Sequence, residues 1–416
     1  MKTRAVRLYG KNDLRLEEFD LPPIQPDEIL AEIVTDSLCM STLKAVFNGA
    51  EHRKVPSDIA EHPIIVGHEF CGRIRAVGAE WKGQYHVGDK FVIQPNIGDV
   101  RAYAPGYSFP HIGGDATFGI FHRQVMDNGS LLAYNGDSYF EGSLVEPLSC
   151  IVGAFRAQYH LRDQYSHEHI MGIRQGGAMA LLGATGPMGF LAVDLAIHGP
   201  ERPRHLVVTG RTQAKLDHVR HLYPVEEAAA HGVVLHYVNT SDTPNYAAEL
   251  RALLPADGKG FDDVFVMAAD ENMVTQASAM LALDGCLNFF AGPVDSVFSA
   301  PINFFDVHYN VTHIVGTSGG NTEDMKESVA LIENKTVRVE KIVSHILGLN
   351  AVPETTMNLK NIPGGKKLVY THLDFPLSPL TDLSQLPHAA RLGEIVADNG
   401  GFWCAAAERV LLGEQP

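Results

Sequence analysis

Ala180-Leu181-Leu182-Gly183-Ala184-Thr185-Gly186-Pro187-Met188-Gly189-Phe190-Leu191 passes from a short apolar run, through a turn punctuated by glycines, into a segment with Leu191 and Leu195 one helical turn apart. A strand, a glycine turn and a helix in that order bring backbone N–H groups and the positive end of a helix to one point, where a pyrophosphate is held. The glycines Gly183, Gly186 and Gly189 are spaced GxxGxxG, one residue longer than the standard fingerprint. Gly183, Gly186, Pro187, Met188 and Gly189 are the candidates to bind the cofactor at this turn. Further apolar runs at 206–209, 233–238, 264–267 and 286–291 alternate with helical stretches. That alternation predicts an α/β, doubly wound parallel sheet.

The end of the second strand bears on the cofactor. An Asp or Glu there binds the ribose 2′-hydroxyl of NAD. Here Val207-Val208-Thr209 is followed by Gly210-Arg211-Thr212, with Lys215 close behind. Gly210 removes the carboxylate that would repel a 2′-phosphate; Arg211 and Thr212, helped by Lys215, supply groups that bind one. The expectation is NADP(H) in preference to NAD(H).

Upstream, Ile64-Ile65-Val66-Gly67-His68-Glu69-Phe70-Cys71-Gly72 is a buried-strand pattern that ends at a glycine, with an imidazole and a carboxylate directly after it. A zinc site needs three or four N, S or O ligands with one position open for chemistry. Cys39 supplies a thiolate and Glu146, just before Pro147, a carboxylate. Such a mixed set suits zinc better than magnesium or calcium. Adjacent residues on an ideal strand face opposite ways. Either the backbone turns at His68-Glu69, or Glu69 stands behind the ligands and orients one of them.

Together these pieces resemble the zinc-dependent branch of the medium-chain dehydrogenase/reductase family. Its zinc signature is similar to Gly67-His68-Glu69-Phe70-Cys71-Gly72, followed by Gly78 and Val87-Gly88-Asp89. The Glu146-Pro147 form is similar to polyol dehydrogenases and sugar-phosphate reductases. The resemblance spans residues 1–375 and implies a β-rich GroES-like catalytic domain (1–155 and 319–375) and a Rossmann cofactor domain (156–318). Residues 376–416 form a helical C-terminal extension beyond the usual family end. It implies a zinc oxidoreductase that interconverts an alcohol and a ketone, here a ketose phosphate and a polyol phosphate. An unphosphorylated polyol, threonine or a simple alcohol is the alternative substrate, and a non-catalytic nucleotide-binding relative the alternative outside enzymes.

The resemblance assigns Cys39, His68, Glu69 and Glu146 to the metal and makes Ser41 the proton relay. Lys44 stands where relatives continue that relay with a histidine. It sets Gly292 beside the nicotinamide, and Lys366 or Lys367 within reach of the pyrophosphate. Residues 312–318 resemble the sixth strand, which pairs subunits edge to edge, so a homodimer or homotetramer is expected. Many relatives hold a second, structural zinc with four cysteines where this chain, from Gln94 to His122, has none. One catalytic zinc per chain is therefore expected, with Tyr103, Tyr107 and Phe109 holding the loop by packing.

The basic cluster His52-Arg53-Lys54 is unusual in a chain of net charge −16. Lys44, Arg53 and Lys54 are candidates to grip a substrate phosphate, with a solvated patch as the alternative, and His111 is a candidate for the cleft lining. The acidic balance argues against non-specific nucleic-acid binding and against an anionic membrane surface. With 416 residues, 45% of them apolar, the chain can bury the cores of two domains. Five scattered cysteines without a CxxC, and no apolar signal region at the N-terminus, point to the cytoplasm. The longest uncharged run, 176–193, holds five glycines and a proline, which suits a strand, turn and helix and not a membrane span.

Overall fold

The computed structural model describes residues 1–163, 166–255 and 260–413. The chain divides into two compact units. The first comprises Met1–Glu146, Asn321–Glu333 and Val339–Pro416; the second comprises Pro147–Gly320 and Asn334–Arg338. The division after Glu146 falls earlier than the 155/156 boundary expected from sequence, because most of the helix Val145–Ala157 clusters with the second unit.

In the first unit, the alternating segment Lys2–Gly10 buries Ala5, Val6 and Leu8 and pairs antiparallel with Asp13–Asp20. Asn12 turns the chain between them at φ 58°, a conformation its short polar side chain tolerates. Ile64–Ile65 pairs with the other edge of Lys2–Gly10, with Leu8 opposite Ile64. The larger sheet has eight strands, and Ile29–Ser37 is its hub. That strand is antiparallel to Cys71–Val77, to Lys366–Tyr370 and to Phe118–Phe121. Ile29, Ala31 and Ile33 point from it into a core shared with Phe70, Phe91 and Phe121, where the last two rings meet edge to face at 5.0 Å.

The C-terminal extension belongs to this first unit. Ser378–Pro379 adds an edge strand to the large sheet. The helices Ala389–Asp398 and Ala405–Leu411 follow, with Leu392, Trp403 and Leu411 buried.

The second unit is built on six parallel strands. Across the sheet they run Val234–Asn239, His205–Gly210, Ala178–Leu182, Phe261–Val266, Leu281–Phe289 and His313–Gly316. The first strand in sequence lies in the interior, so the chain winds outward from it in both directions, as the sequence pattern predicts. Ala178–Leu182 is buried along its whole length because both sheet faces are covered. The fifth strand begins well before residue 286. Asp284, at φ 62°, and Gly285 interrupt its apolar pattern and hide the first half from a sequence reading. Among the described residues, no helix is long and apolar enough to cross a membrane.

Candidate metal centre and cofactor turn

The backbone does turn at His68-Glu69. The strand ends at Ile65, residues 66–70 are irregular, and the next strand begins at Cys71. Gly67 makes this possible at φ +90°; a Cβ there would lie 2.1 Å from Asp36 Oδ2. Cys39 arrives from another direction as the N-cap of the helix Met40–Asn48, where the helix dipole favours a thiolate. A ligand atom each from Cys39, His68 and Glu69 lies within 4.8 Å of the others. Among the described residues this is the only such group.

Each ligand is oriented by a neighbour. Thr42 Oγ1 lies 3.2 Å from His68 Nδ1, so Nε2 is the ring nitrogen turned toward Ser41 and Tyr107. Ser41 Oγ donates to Cys39 Sγ at 3.0 Å. Glu69 Oε2 accepts from both Ser37 Oγ and Lys366 Nζ, and Glu69 N donates to Asp36 Oδ1 at 3.0 Å. Such supporting bonds fix ligand orientation.

The electrostatics suit a cation. Burial pushes the Cys39 thiol up to about 12, with Glu69 and Glu146 adding to the shift and Lys366 opposing it. A bound cation is what makes the thiolate favourable in such a place. Burial, with Lys54 and Lys366, holds His68 well below its ordinary value, leaving the neutral imidazole that binds metals. Lys366 is held above its ordinary value: burial opposes this, and the charges of Glu69 and Cys39 outweigh it. Soft sulfur, neutral imidazole and carboxylate in one buried cluster fit a zinc ion. Glu146 stays outside the tight group, yet its charge bears on Cys39, Tyr107 and Lys366.

Tyr107, which sequence assigned to loop packing, joins this cluster. It is buried, and its hydroxyl donates to Ser41 Oγ at 2.7 Å and lies 3.1 Å from His68 Nε2. Nothing in the local sequence distinguishes it from Tyr103. Lys54 Nζ sits 4.7 Å from the Tyr107 ring centre, and the His52 ring stacks on it at 6.0 Å. Burial, then the charges of Lys54, Arg53 and Lys44, depress the pKa of His52. His111 packs its ring against Phe19 at 6.4 Å. Lys366 and Lys367, which sequence offered to the pyrophosphate, are engaged inside the first unit. Both are buried within the first unit, Lys366 on Glu69 and Lys367 on the carbonyls of Ile362, Pro363 and Gly365. An ammonium in an apolar strand has to be satisfied where it lies.

In the second unit, Gly183 N donates to Thr209 Oγ1 at 3.0 Å, tying the turn to the second strand. Gly186 caps the helix Pro187–His198, with Pro187 and Met188 in its first turn. A Cβ on Gly189 would lie 2.2 Å from Ala184 O, so only glycine lets this helix start so close to the turn. Space is open at Gly186, where a Cβ would meet nothing within 4 Å, as a phosphate cradle requires. Gly210 ends the second strand; Arg211, Thr212 and Lys215 are exposed beyond it, and Arg211 Nη1 donates to Asp270 Oδ2 at 3.1 Å. Gly292 is exposed in the loop after the fifth strand.

Known proteins carry the same two parts. A family model described as alcohol dehydrogenase GroES-like domain matches residues 25–133, and one described as zinc-binding dehydrogenase matches residues 187–334. The chain is 53% identical over 411 residues to L-sorbose 1-phosphate reductase of Klebsiella pneumoniae, covering 99% of this chain and 97% of that one. It is 45% identical over 415 residues to mannitol-1-phosphate 5-dehydrogenase of Aliivibrio fischeri, covering 99% and 97%. The crystal structure of 2R,3R-butanediol dehydrogenase from Bacillus subtilis superposes with a TM-score of 0.71 at 20% identity, over 89% of this chain and 99% of that one.

Proposed function

The chain belongs to the zinc-dependent medium-chain dehydrogenases, and on that premise we propose that it interconverts a ketose phosphate and a polyol phosphate with NADP(H). The observation that carries this is the convergence of Cys39, His68 and Glu69 within 4.8 Å. Cys39, His68 and Glu69, with Glu146 in reserve, would hold a zinc ion that would supply Lewis acidity toward a carbonyl or alcohol oxygen, and a bound nicotinamide would supply the hydride chemistry. Ser41, hydrogen-bonded to Cys39, delivers the proton to the nascent alcohol oxygen or removes it in the reverse direction. Tyr107, donating to Ser41 Oγ, holds that hydroxyl in position for the transfer. Lys366 and Ser37 hold the Glu69 carboxylate in place.

A phosphorylated substrate is supported by the names of the two near relatives and by Lys54, Arg53 and Lys44, whose charges bear on His52. NADP(H) in preference to NAD(H) is supported at Gly210. A Cβ there would lie 2.5 Å from Thr185 Cγ2, so no carboxylate stands at the strand end and Arg211 is next in line. We assign one zinc per chain, and a cytoplasmic location that suits the reduced thiol Cys39 needs. A homodimer or homotetramer is supported by the open edge strand His313–Gly316 and its exposed apolar neighbours Phe304, Phe305 and Tyr309.

The test is a screen of ketose and polyol phosphates with NADPH and NADP, with metal content measured on the same sample. Turnover that requires the phosphate, in protein holding one zinc, is the expected result. Equal turnover of the unphosphorylated compounds would return the substrate to a polyol, threonine or a simple alcohol. A protein that binds nucleotide and holds no zinc would return it to a non-catalytic relative.

A further inference from the structure

We propose that Glu408, in the C-terminal extension, is a positioning residue for the metal centre. Its carboxylate is buried and accepts three hydrogen bonds: from Tyr139 N at 2.6 Å, Phe140 N at 2.8 Å and Tyr370 Oη at 3.0 Å. Trp403, fully buried in the same extension, donates Nε1 to Tyr370 Oη at 2.6 Å. Both ends of this network lead to residues at the metal centre.

One end is the turn at residues 139–140, which opens the short helix Tyr139–Gly142. Ser143 Oγ donates to Phe140 O at 2.8 Å, and Leu144 N to Glu141 O at 3.1 Å, so a run of local bonds continues to the start of the helix that carries Glu146. Residues 139–145 are all buried, which leaves the run little room to move. The other end is the strand Lys366–Tyr370. Its alternate residues share one face, so Tyr370 lies on the same side as Lys366, which holds Glu69. The neighbouring strand repeats the arrangement. Thr35 Oγ1 donates to Tyr139 O at 2.8 Å and Ser37 Oγ donates to Glu69, with Thr35 paired to Tyr370 across the sheet. One face of two adjacent strands therefore fixes Glu69 at one end and the approach to Glu146 at the other, and Glu408 closes the second end.

This inference rests on the metal-binding role proposed above. The test loads the full-length protein with cobalt(II) and records chelator competition and the visible spectrum, with nucleotide binding as a check on folding. Glu408→Gln, which cannot accept all three bonds, is compared with Glu408→Asp and with Leu392→Ala. The last removes a buried side chain of the same extension that takes no part in these hydrogen bonds. Glu408→Gln is expected to weaken metal binding about tenfold to a hundredfold, as loss of a supporting bond at a metal site does, and to shift the cobalt bands. Glu408→Asp should recover part of both, and Leu392→Ala should change neither. If Glu408→Gln does not fold, Tyr370→Phe carries the same readouts and should move them in the same direction. Unchanged affinity and bands in Glu408→Gln, or equal shifts in Leu392→Ala, overturn the inference alone. A wild-type protein that binds no metal removes the metal reading as well.

Discussion

Tyr107 and Ser41 share a 2.7 Å hydrogen bond with the tyrosine hydroxyl as donor, and Ser41 in turn donates to Cys39 Sγ at 3.0 Å. Burial raises the Tyr107 pKa well above its ordinary value, so it remains a phenol at neutral pH and can keep donating. The first prediction follows from this order. Tyr107→Phe should lower kcat roughly tenfold to a hundredfold, less than the loss of a proton-transfer group itself because Ser41 remains and loses only the donor that aims it, and leave KM for NADPH nearly unchanged. Steady-state kinetics over pH checks it; wild-type kcat in the variant would remove Tyr107 from the relay.

Cys39→Ala deletes the only sulfur in the ligand group. The variant should lose its zinc and its turnover while nucleotide binding by the second unit persists. Metal analysis and a nucleotide titration on one preparation decide the matter. Retention of most activity would mean that the chemistry does not use this centre.

Arg211 is exposed and held by Asp270 at 3.1 Å. A hydrogen bond to a charged group contributes about 1.5–3 kcal/mol. Arg211→Ala should therefore cut kcat/KM with NADPH by about tenfold to a hundredfold, at 1.4 kcal/mol per tenfold, and barely affect NADH. Equal losses with both coenzymes would place the arginine elsewhere in binding.

Stability should fall as pH rises from about 4 to 7, the reverse of the usual carboxylate effect. Asp115 is pushed up to about 7 by burial, with Asp36 opposing and Glu69 adding. Burial likewise takes Glu408 up to about 7 against the pull of its three donors. The unfolded chain releases these protons near pH 4. The folded chain holds them longer, so the stability they confer is complete below that pH and is lost as pH passes through 7. Urea midpoints of metal-free protein at pH 5 and pH 8 measure the difference, and Asp115→Asn should shrink it. An unchanged difference would show that Asp115 titrates normally.

Ile314 lies exposed on the edge strand His313–Gly316. A charge on an open edge opposes strand pairing between chains. Ile314→Lys should lower the oligomeric state in sedimentation without altering the melting of the second unit; an unchanged mass would put the subunit contact on another face.

The two-part architecture was legible in sequence because local patterns encode it. Residues 180–191 and the recurring apolar runs specify a parallel sheet whatever surrounds them, and alternation at 1–35 specifies antiparallel strands. The candidate metal-binding cluster was legible by chemical type: Cys39, His68 and Glu69 are residues of the kinds a zinc site uses. Whether adjacent His68 and Glu69 could face the same point stayed open, since that depends on a backbone turn at Gly67. The surroundings of Lys366 and Lys367 were hidden for a related reason: sequence reveals an ammonium but not the carboxylate or carbonyls that folding brings to it.

By itself, then, the chain's residue order determined its sheets, its glycine turn and the kinds of ligand it carries, because hydrophobic period and donor chemistry are properties of neighbours along the backbone. Tertiary structure alone decided that Tyr107 touches Ser41, that Lys366 serves Glu69 and that Glu408 reaches residues 139–140, 269 and 268 positions away. Those partners lie far apart in sequence, and only the packing of helices, turns and strands into one core brings them within hydrogen-bonding distance.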